Sequence, residues 1–150
     1  MQQSFEAAES FYHRSENMRS QAKAQFEKFC YPESVSASQE SMEFAIKAIF
    51  LFLQEEYPRT HELKDEDFLK ILEKIPEELK FHNFPRLLLI NRFWSNLYLI
   101  AKYGNEKLGI GPEKLFKKDE AELALKHADE CHSAVYFVRD WAFRKRQQTA

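Results

Sequence analysis

The stretch from residue 38 to residue 63 constrains the fold more than any other part of the chain. Its apolar side chains recur at helical spacing and cover more than one side of the resulting helix. One side carries Met42, Ala45, Ile46, Ile49, Phe52 and Leu53, while Phe50 and Leu51 extend the apolar surface sideways and Lys47 lies opposite. Such a helix needs several neighbours, so we expect it at the centre of a bundle. It should end before Pro58, which lacks a backbone N–H.

The rest of the chain also favours helices. Only three glycines and five prolines interrupt 150 residues, which leaves few turns and argues against a β-sandwich. Apolar periodicity predicts further helices over residues 4–29, from Asp65, over residues 86–103, and from Asp119. The predicted fold is therefore all-α, an antiparallel up-and-down bundle of four to five helices. The length suits a single domain spanning residues 1–150.

The first predicted helix carries two polar residues in an otherwise apolar seam. The seam consists of Phe5, Ala8, Tyr12, Ser15, Arg19, Ala22, Phe26 and Phe29. An unpaired buried charge is very costly, so the polar pair Ser15 and Arg19 requires an explanation. Arg19 can lie along the surface with its guanidinium in water. Alternatively, Ser15 and Arg19 line a polar cleft or pair with a carboxylate.

Composition and spacing exclude several classes of protein. A formal net charge of −2 does not predict non-specific binding of nucleic acid. Cys30 and Cys131 match no metal-binding or C-x-x-C spacing, so we expect free thiols in a reducing cytosol. The five histidines lack the spacing of a helical zinc pair, and we expect no metal and no cofactor. The polar start of the chain and its short apolar runs predict a cytoplasmic protein without signal peptide or membrane span.

Polar side chains on otherwise apolar helices are the candidate functional residues. In the helix over residues 86–103, Asn91, Ser95 and Lys102 form one line, and Arg92 and Asn96 form the adjacent line, which ends at Tyr103. Such an arc can be solvated, or it can face a ligand or a second chain. His61 either fixes the turn after the central helix or belongs to a ligand cleft. Four cations near the end of the last helix either complement its dipole or contact phosphates or an acidic partner: Arg139, Arg144, Lys145 and Arg146.

Several of these segments together resemble the HEPN family, the prokaryotic and eukaryotic nucleotide-binding helical domains. The resemblance rests on the run S-x-x-S-x-E-x-x-x-K-A from Ser38 to Ala48 and on P-x-T-H-E-L from Pro58 to Leu63. It continues through the segment Ala101-Lys102-Tyr103-Gly104, then Pro112, Leu115-Phe116 and the alanines Ala121, Ala124 and Ala128. These pieces span nearly the whole chain in the family's order.

The resemblance implies a helical bundle that forms a homodimer and works beside a small nucleotidyltransferase, separate or fused. It further implies nucleotide binding or, in many members, metal-independent RNA cleavage as a toxin. The resemblance implies that members which cleave RNA share an R-x(4–6)-H motif. No arginine of this chain is followed by histidine at that spacing. We therefore expect a non-catalytic module that dimerises and binds a nucleotide or partners a minimal nucleotidyltransferase.

The candidate nucleotide-binding residues are Lys47, His61, Arg92, Lys102 and Tyr103. Lysine and arginine would hold phosphate charge, and the tyrosine could stack on a base. Two alternatives stay open at this point. One is a divergent HEPN ribonuclease that uses His61 or His82 with Arg92. The other is a structural homodimer without a small ligand.

Overall fold

The computed structural model describes residues 2–58 and 63–149, and within them the protein is an all-α helical bundle, as predicted. Its helices are α1 (Gln2–Glu27), α2 (Tyr31–Phe52), α3 (Asp65–Lys74), α4 (Phe84–Ser95), α5 (Tyr98–Tyr103), α6 (Pro112–Leu115) and α7 (Lys118–Thr149), with one 3₁₀ turn at Glu77–Leu79. None of the described helices is both long enough and apolar enough to cross a membrane.

Helix α2 lies at the centre of the bundle, between α1 and α7. Fourteen of its residues are buried, including Met42, Ile46 and Ile49, which the periodicity placed on its apolar side. Helix α1 runs antiparallel to α2, since Ser15 contacts Ser41 and Ala22 contacts Ser34. It also runs antiparallel to α7, because Glu9 meets Arg139 and Arg19 meets Asp129. The C-terminal ends of α2 and α7 therefore lie at the same end of the bundle.

Small residues and hydroxyl groups hold α1 close to α2. The Ser15 hydroxyl donates to the backbone carbonyl of Ser41 at 2.9 Å, and the Ser41 hydroxyl donates to the carbonyl of Ser15 at 2.9 Å. Farther along the same pair of helices, the Ser34 hydroxyl donates to the carbonyl of Ala22 at 2.8 Å. All three serines are buried, and the bonds offset the cost of removing their hydroxyls from water.

Of the two interpretations of the polar pair in the α1 seam, the structure favours pairing with a carboxylate. Arg19 Nε lies 2.5 Å from Asp129 Oδ1 on α7, and Ser15 bonds to α2. A second pair, Arg139 to Glu9 at 2.9 Å, joins the same two helices farther along. Long charged side chains therefore bridge the groove between α1 and α7, in which small residues alone would leave a gap.

Helix α2 ends at Phe52, well before the proline that we expected to stop it. The chain leaves the helix there, and Gln54 adopts a left-handed conformation with φ of 62°. The Glu55 N–H donates to the Phe50 carbonyl at 2.8 Å, and the Gln54 N–H donates to the Leu51 carbonyl at 3.0 Å. These two bonds form a Schellman motif, which satisfies carbonyls at the helix end without any proline.

The predicted helix over residues 86–103 is two helices in the structure. Helix α4 begins earlier, at Phe84, because the Asn83 side chain caps it by accepting from the Arg86 N–H. The regular bonding pattern then tightens after Ser95, where the Leu97 N–H donates to the Trp94 carbonyl at 3.0 Å, and α5 starts at Tyr98. The break lets α5 turn onto α2, which a single straight helix could not do.

Helix α4 is fastened to α7 by two polar contacts. The Trp94 indole N–H donates to His127 Nδ1 at 2.8 Å, and Arg86 forms a two-point ion pair with Glu130 at 2.8 and 3.0 Å. The Trp94 side chain is buried in the core. Because α4 carries candidate residue Arg92, these contacts fix the position of that residue on the bundle.

Replacing Gln54 with glycine is expected to stabilise the protein. Glycine adopts the left-handed conformation without the steric cost of a Cβ atom, so the free energy of unfolding should rise by about 0.5–1 kcal/mol. Urea denaturation of the Gln54→Gly variant measures the change. Gln54→Ala keeps a Cβ atom and is the matched control, with no gain expected. A Gln54→Gly midpoint equal to that of Gln54→Ala would contradict the strain assigned to this residue.

Candidate functional site

Lys47 lies on the outward side of α2 among aromatic rings. Its ammonium is 3.3 Å from Glu43 Oε1, one turn back, and 5.3 Å from the centre of the Tyr57 ring. The Phe11 ring on α1 lies 5.6 Å away on the other side. Burial raises the pKa of Tyr57, so its hydroxyl stays protonated. Lys47 is therefore held half-buried by one carboxylate and by cation–π contacts.

Lys102 and Glu40 form a second polar site, between α5 and the first half of α2. Lys102 Nζ lies 3.7 Å from Glu40 Oε1, which also accepts a hydrogen bond from the Tyr98 hydroxyl at 3.0 Å. The contact with Tyr98 raises the pKa of Lys102, which therefore remains charged. Lys102 and Glu40 line a shallow pocket of about 310 Å³ together with Met18, Gln21, Gln25, Glu33, Ser36, Ala37 and Ala101.

Arg92 fixes the segment that leads into α3. Its guanidinium donates two hydrogen bonds to the Leu63 carbonyl, at 3.0 and 3.3 Å, and one to Asp65 Oδ1 at 2.8 Å. Leu63 is buried in the core, so these bonds attach the end of the loop to α4. A phosphate at Arg92 would have to displace the carboxylate of Asp65.

The two remaining candidates lie differently. Tyr103 is the last residue of α5, and 61% of it is exposed, so its ring is open to a partner or a base. The chain can turn directly behind it only at glycine. Gly104 has φ of 71°, and a Cβ atom there would stand 2.2 Å from the Ile110 carbonyl oxygen. His61 lies outside the described residues.

Two of the candidate residues, Lys47 and Lys102, form ion pairs along the same face of α2. Glu40, Glu43 and Lys47 follow one another at three- and four-residue spacing, so Lys102, at Glu40, lies about 10 Å along the helix from Lys47. Arg92 on α4 is held instead by Leu63 and Asp65. The described pockets contain at most one of these candidates. A common nucleotide groove formed by all five residues stays a prediction.

A larger cleft than the pocket at Lys102 lies at the end of the bundle where α2 and α7 terminate. It has a volume of about 730 Å³. Its lining consists of Ser4, Phe5, Leu51, Phe52, Leu53, Gln54, Lys74, Trp141, Ala142, Lys145, Arg146 and Thr149. The sequence carried one signal for it, the group of cations near the end of the last helix. No local sequence pattern predicts that the start of α1 and the ends of α2 and α7 come together here.

Of the two histidines proposed for a ribonuclease, His61 lies outside the described residues, and His82 is packed among aromatic rings rather than against Arg92. The His82 ring packs 4.3 Å from the Phe81 ring and 4.9 Å from the Phe137 ring, while Arg92 bonds to Leu63 and Asp65. Burial lowers the pKa of His82, which favours the neutral ring. Arg92 lies eight positions after Phe84, or about 12 Å farther along α4.

Metal-ligating side chains do not cluster in residues 2–58 and 63–149, where no group of three or more His, Cys, Asp or Glu comes together. Cys131 is buried in the core, and burial raises the pKa of its thiol to about 12. Cys30 and Cys131 are both free thiols. The Cys131 thiol is therefore not an activated nucleophile.

A central helix flanked by amphipathic helices, with polar residues along one face of α2, defines an all-α helical domain. The HEPN domain family matches residues 8–139, and the chain belongs to this family. No curated protein matches the sequence. The fold is similar to the crystal structure of TT1696 from Thermus thermophilus, with a TM-score of 0.64 and 18% sequence identity. The similarity covers 87% of this chain and 97% of that chain, and it shows the fold alone.

The stability of the fold should fall in mild acid because three partly buried histidines resist protonation. Burial lowers the pKa of His82, His127 and His132 below the ordinary value of 6.5. The unfolded chain then binds more protons than the folded chain just below pH 6.5, so stability decreases as pH falls from about 7 towards 5. Protonation of His127 at Nδ1 would also break the bond from Trp94.

The variant His127→Gln is expected to unfold with a weaker dependence on pH over that range, although it retains the contributions of His82 and His132. Urea denaturation at half-unit steps between about pH 7.5 and 5 measures the slope. His13→Gln, which changes an exposed histidine on α1, is the control and should keep the slope of the original protein. Equal slopes for both variants would show that His127 does not contribute.

Proposed function

We propose that this protein is a non-catalytic HEPN module that dimerises and binds a nucleotide or partners a minimal nucleotidyltransferase. The observation that carries the proposal is a set of exposed apolar residues on two successive helices. This set, here called the α4–α5 row, consists of Leu89 and Phe93 on α4 and of Leu99 and Tyr103 on α5. Cationic Arg92 and Lys102 lie beside it in the sequence.

The α4–α5 row has the properties of an association surface. Leu89 and Phe93 are one helical turn apart, and 63% and 48% of these residues are exposed. Leu99 and Tyr103 repeat the arrangement on α5, with 64% and 61% exposed. Exposed apolar residues grouped in this way mark protein interaction sites. A self-complementary surface of this kind supports a two-fold homodimer, in which each α4 contacts the partner's α4.

The end of α5 supports nucleotide binding. Lys102 supplies a fixed positive charge, and Tyr103 next to it presents an open ring for stacking on a base. Lys47 supplies a second cation farther along the same face of α2. Each lysine already has one carboxylate partner, so phosphate would compete with Glu40 and Glu43 for them. This competition favours modest affinity.

Two observations support the proposal that the protein does not cleave RNA. The chain lacks the R-x(4–6)-H motif that the RNA-cleaving members of the family share. In addition, the guanidinium of Arg92 is occupied by Leu63 and Asp65, away from the His82 ring among Phe81 and Phe137. The α4–α5 row would take either a second copy or the nucleotidyltransferase chain, as two uses of one association surface.

Charges introduced into the α4–α5 row are expected to prevent dimerisation. Sedimentation equilibrium of the original protein should give twice the chain mass of 17.9 kDa at micromolar concentration. The double variant Leu89→Lys, Phe93→Lys should sediment as a monomer, because two buried ammonium groups without partners would face each other across the interface. The control Leu69→Lys changes an exposed leucine on α3 and should remain dimeric. An original protein that stays monomeric at high concentration would refute the dimer.

Nucleotide binding is expected to depend on Lys102. Calorimetry with ATP, GTP and UTP should give binding heat with at least one of them. Loss of one charge-assisted contact in Lys102→Ala should weaken binding about tenfold or more. Lys126→Ala removes an exposed lysine on α7 and should leave affinity unchanged. Absence of heat with all three nucleotides, on folded protein, would remove the nucleotide claim.

A further inference from the structure

The cleft at the end of the bundle has the volume of a small-molecule site. The start of α1, the end of α2 and the end of α7 surround its volume of about 730 Å³. Sites for small ligands range from roughly 300 to 1,000 Å³. The cleft lies at the far end of α2 from the pocket at Lys102, so it is a separate site from the one in the proposed function.

The inner wall of the cleft is largely aromatic. Phe5 and Phe52 pack edge to face with their ring centres 5.8 Å apart, and Phe5 packs against Phe143 at 4.8 Å. Trp141 lines the cleft from α7 and is only half-buried. Half-buried aromatic side chains supply flat apolar surface at little cost in side-chain entropy. The wall therefore suits a flat apolar group.

The rim of the cleft is cationic. Lys74, Lys145 and Arg146 line it, and no aspartate or glutamate is among its lining residues. Lys74 is held by Glu55 at 2.8 Å, so its charge is already compensated. Arg146 stacks 4.3 Å above the Phe5 ring. Within the described residues, neither Lys145 nor Arg146 has a carboxylate within ion-pair distance.

The helix dipole alone does not account for this arrangement. Cations near the end of α7 complement its dipole wherever they point. Arg144 lies in the same turn and pairs with Asp140 at 3.1 Å and Glu78 at 3.7 Å. Lys145 and Arg146, by contrast, line an apolar cleft without such partners. Lys145 follows Trp141 by one helical turn, so the charge and the ring lie on the same face.

We propose that this cleft binds a small organic anion whose body is a flat aromatic group. The body would lie against Trp141, and the anionic group would contact Lys145 and Arg146. Charge complementarity carries the assignment, because within residues 2–58 and 63–149 these two rim cations have no carboxylate partner and no aspartate or glutamate lines the cleft. The inference does not rest on the proposed association through α4 and α5.

Calorimetry with 1-naphthyl phosphate and 1-naphthoate tests the proposal directly. At least one of these aromatic anions should bind, and the comparison shows whether a phosphate or a carboxylate suits the rim better. Inorganic phosphate lacks the aromatic body and 1-naphthol lacks the charge, so each should bind at least tenfold more weakly than the better anion. Absence of heat with both naphthyl anions, or equal binding of 1-naphthol, would overturn the proposal.

Variants separate the cleft from other basic surface. The double variant Lys145→Ala, Arg146→Ala should weaken binding of the better anion at least tenfold. The double variant Lys114→Ala, Lys126→Ala changes net charge by the same amount at exposed positions outside the cleft and should bind as the original protein does. Thermal unfolding by circular dichroism establishes that both are folded. Equal weakening in both variants would show that net charge, not the cleft, governs binding.

Trp141 provides a readout at the site itself. The chain has two tryptophans, and the other, Trp94, is buried between α4 and α7. The better anion should therefore change tryptophan emission in the original protein. In Trp141→Phe the emission change should vanish while calorimetric binding persists, because phenylalanine keeps an aromatic wall. An unchanged emission response in Trp141→Phe would place the anion away from the cleft.

Discussion

The close approach of α1 to α2 is the contact on which the rest of the bundle depends. Ser15 and Ser41 exchange hydrogen bonds with each other's backbone carbonyls, and Ala8 and Ala45 are fully buried. Larger side chains would hold the axes apart, and unbonded hydroxyls would make the contact unfavourable. A second row of small buried residues on α7, at Ala121, Ala124, Ala128 and Cys131, allows α7 to approach in the same way. The bulky core residues of α2 are left to pack sideways against α3, α4 and α5.

Helices and buried faces could be predicted from local periodicity, but the points where helices end depended on bonds that periodicity does not reveal. The apolar side of α2 was read correctly because every third or fourth residue from Met42 to Leu53 is buried. The helix ends before Pro58, as expected, but its exact end at Phe52 could not be predicted because Gln54, a residue with no special preference for positive φ, adopts the left-handed conformation. The break after Ser95 was missed for a similar reason, since no glycine or proline marks it.

The candidate site shows the same limit at the level of side-chain partners. The sequence shows that Arg92 and Lys102 are cations on apolar helices, but it does not show which carboxylates they meet. Asp65 lies 27 residues from Arg92 in the chain, and Glu40 lies 62 residues from Lys102, so only the folded bundle brings them together. A cation paired in this way stabilises a loop or a helix contact. Cations without a carboxylate partner are therefore better indicators of an anion site than cations selected by their helical face.

This distinction divides the molecule into two regions that could be occupied at once. The α5 end of the molecule lies beside the first half of α2, near Ala37 and Glu40, whereas the cleft begins at Leu51, about 17 Å farther along the helix. On α7, His127 under Trp94 precedes Trp141 by 14 residues, or about 21 Å. A partner on α4 and α5 would thus leave the cleft open.

Because α2 and α7 run through both regions as continuous helices, an anion bound at their C-terminal ends could influence association only by shifting whole helices. Close packing of small residues between α1 and α2 resists such a shift, so the two regions should act independently.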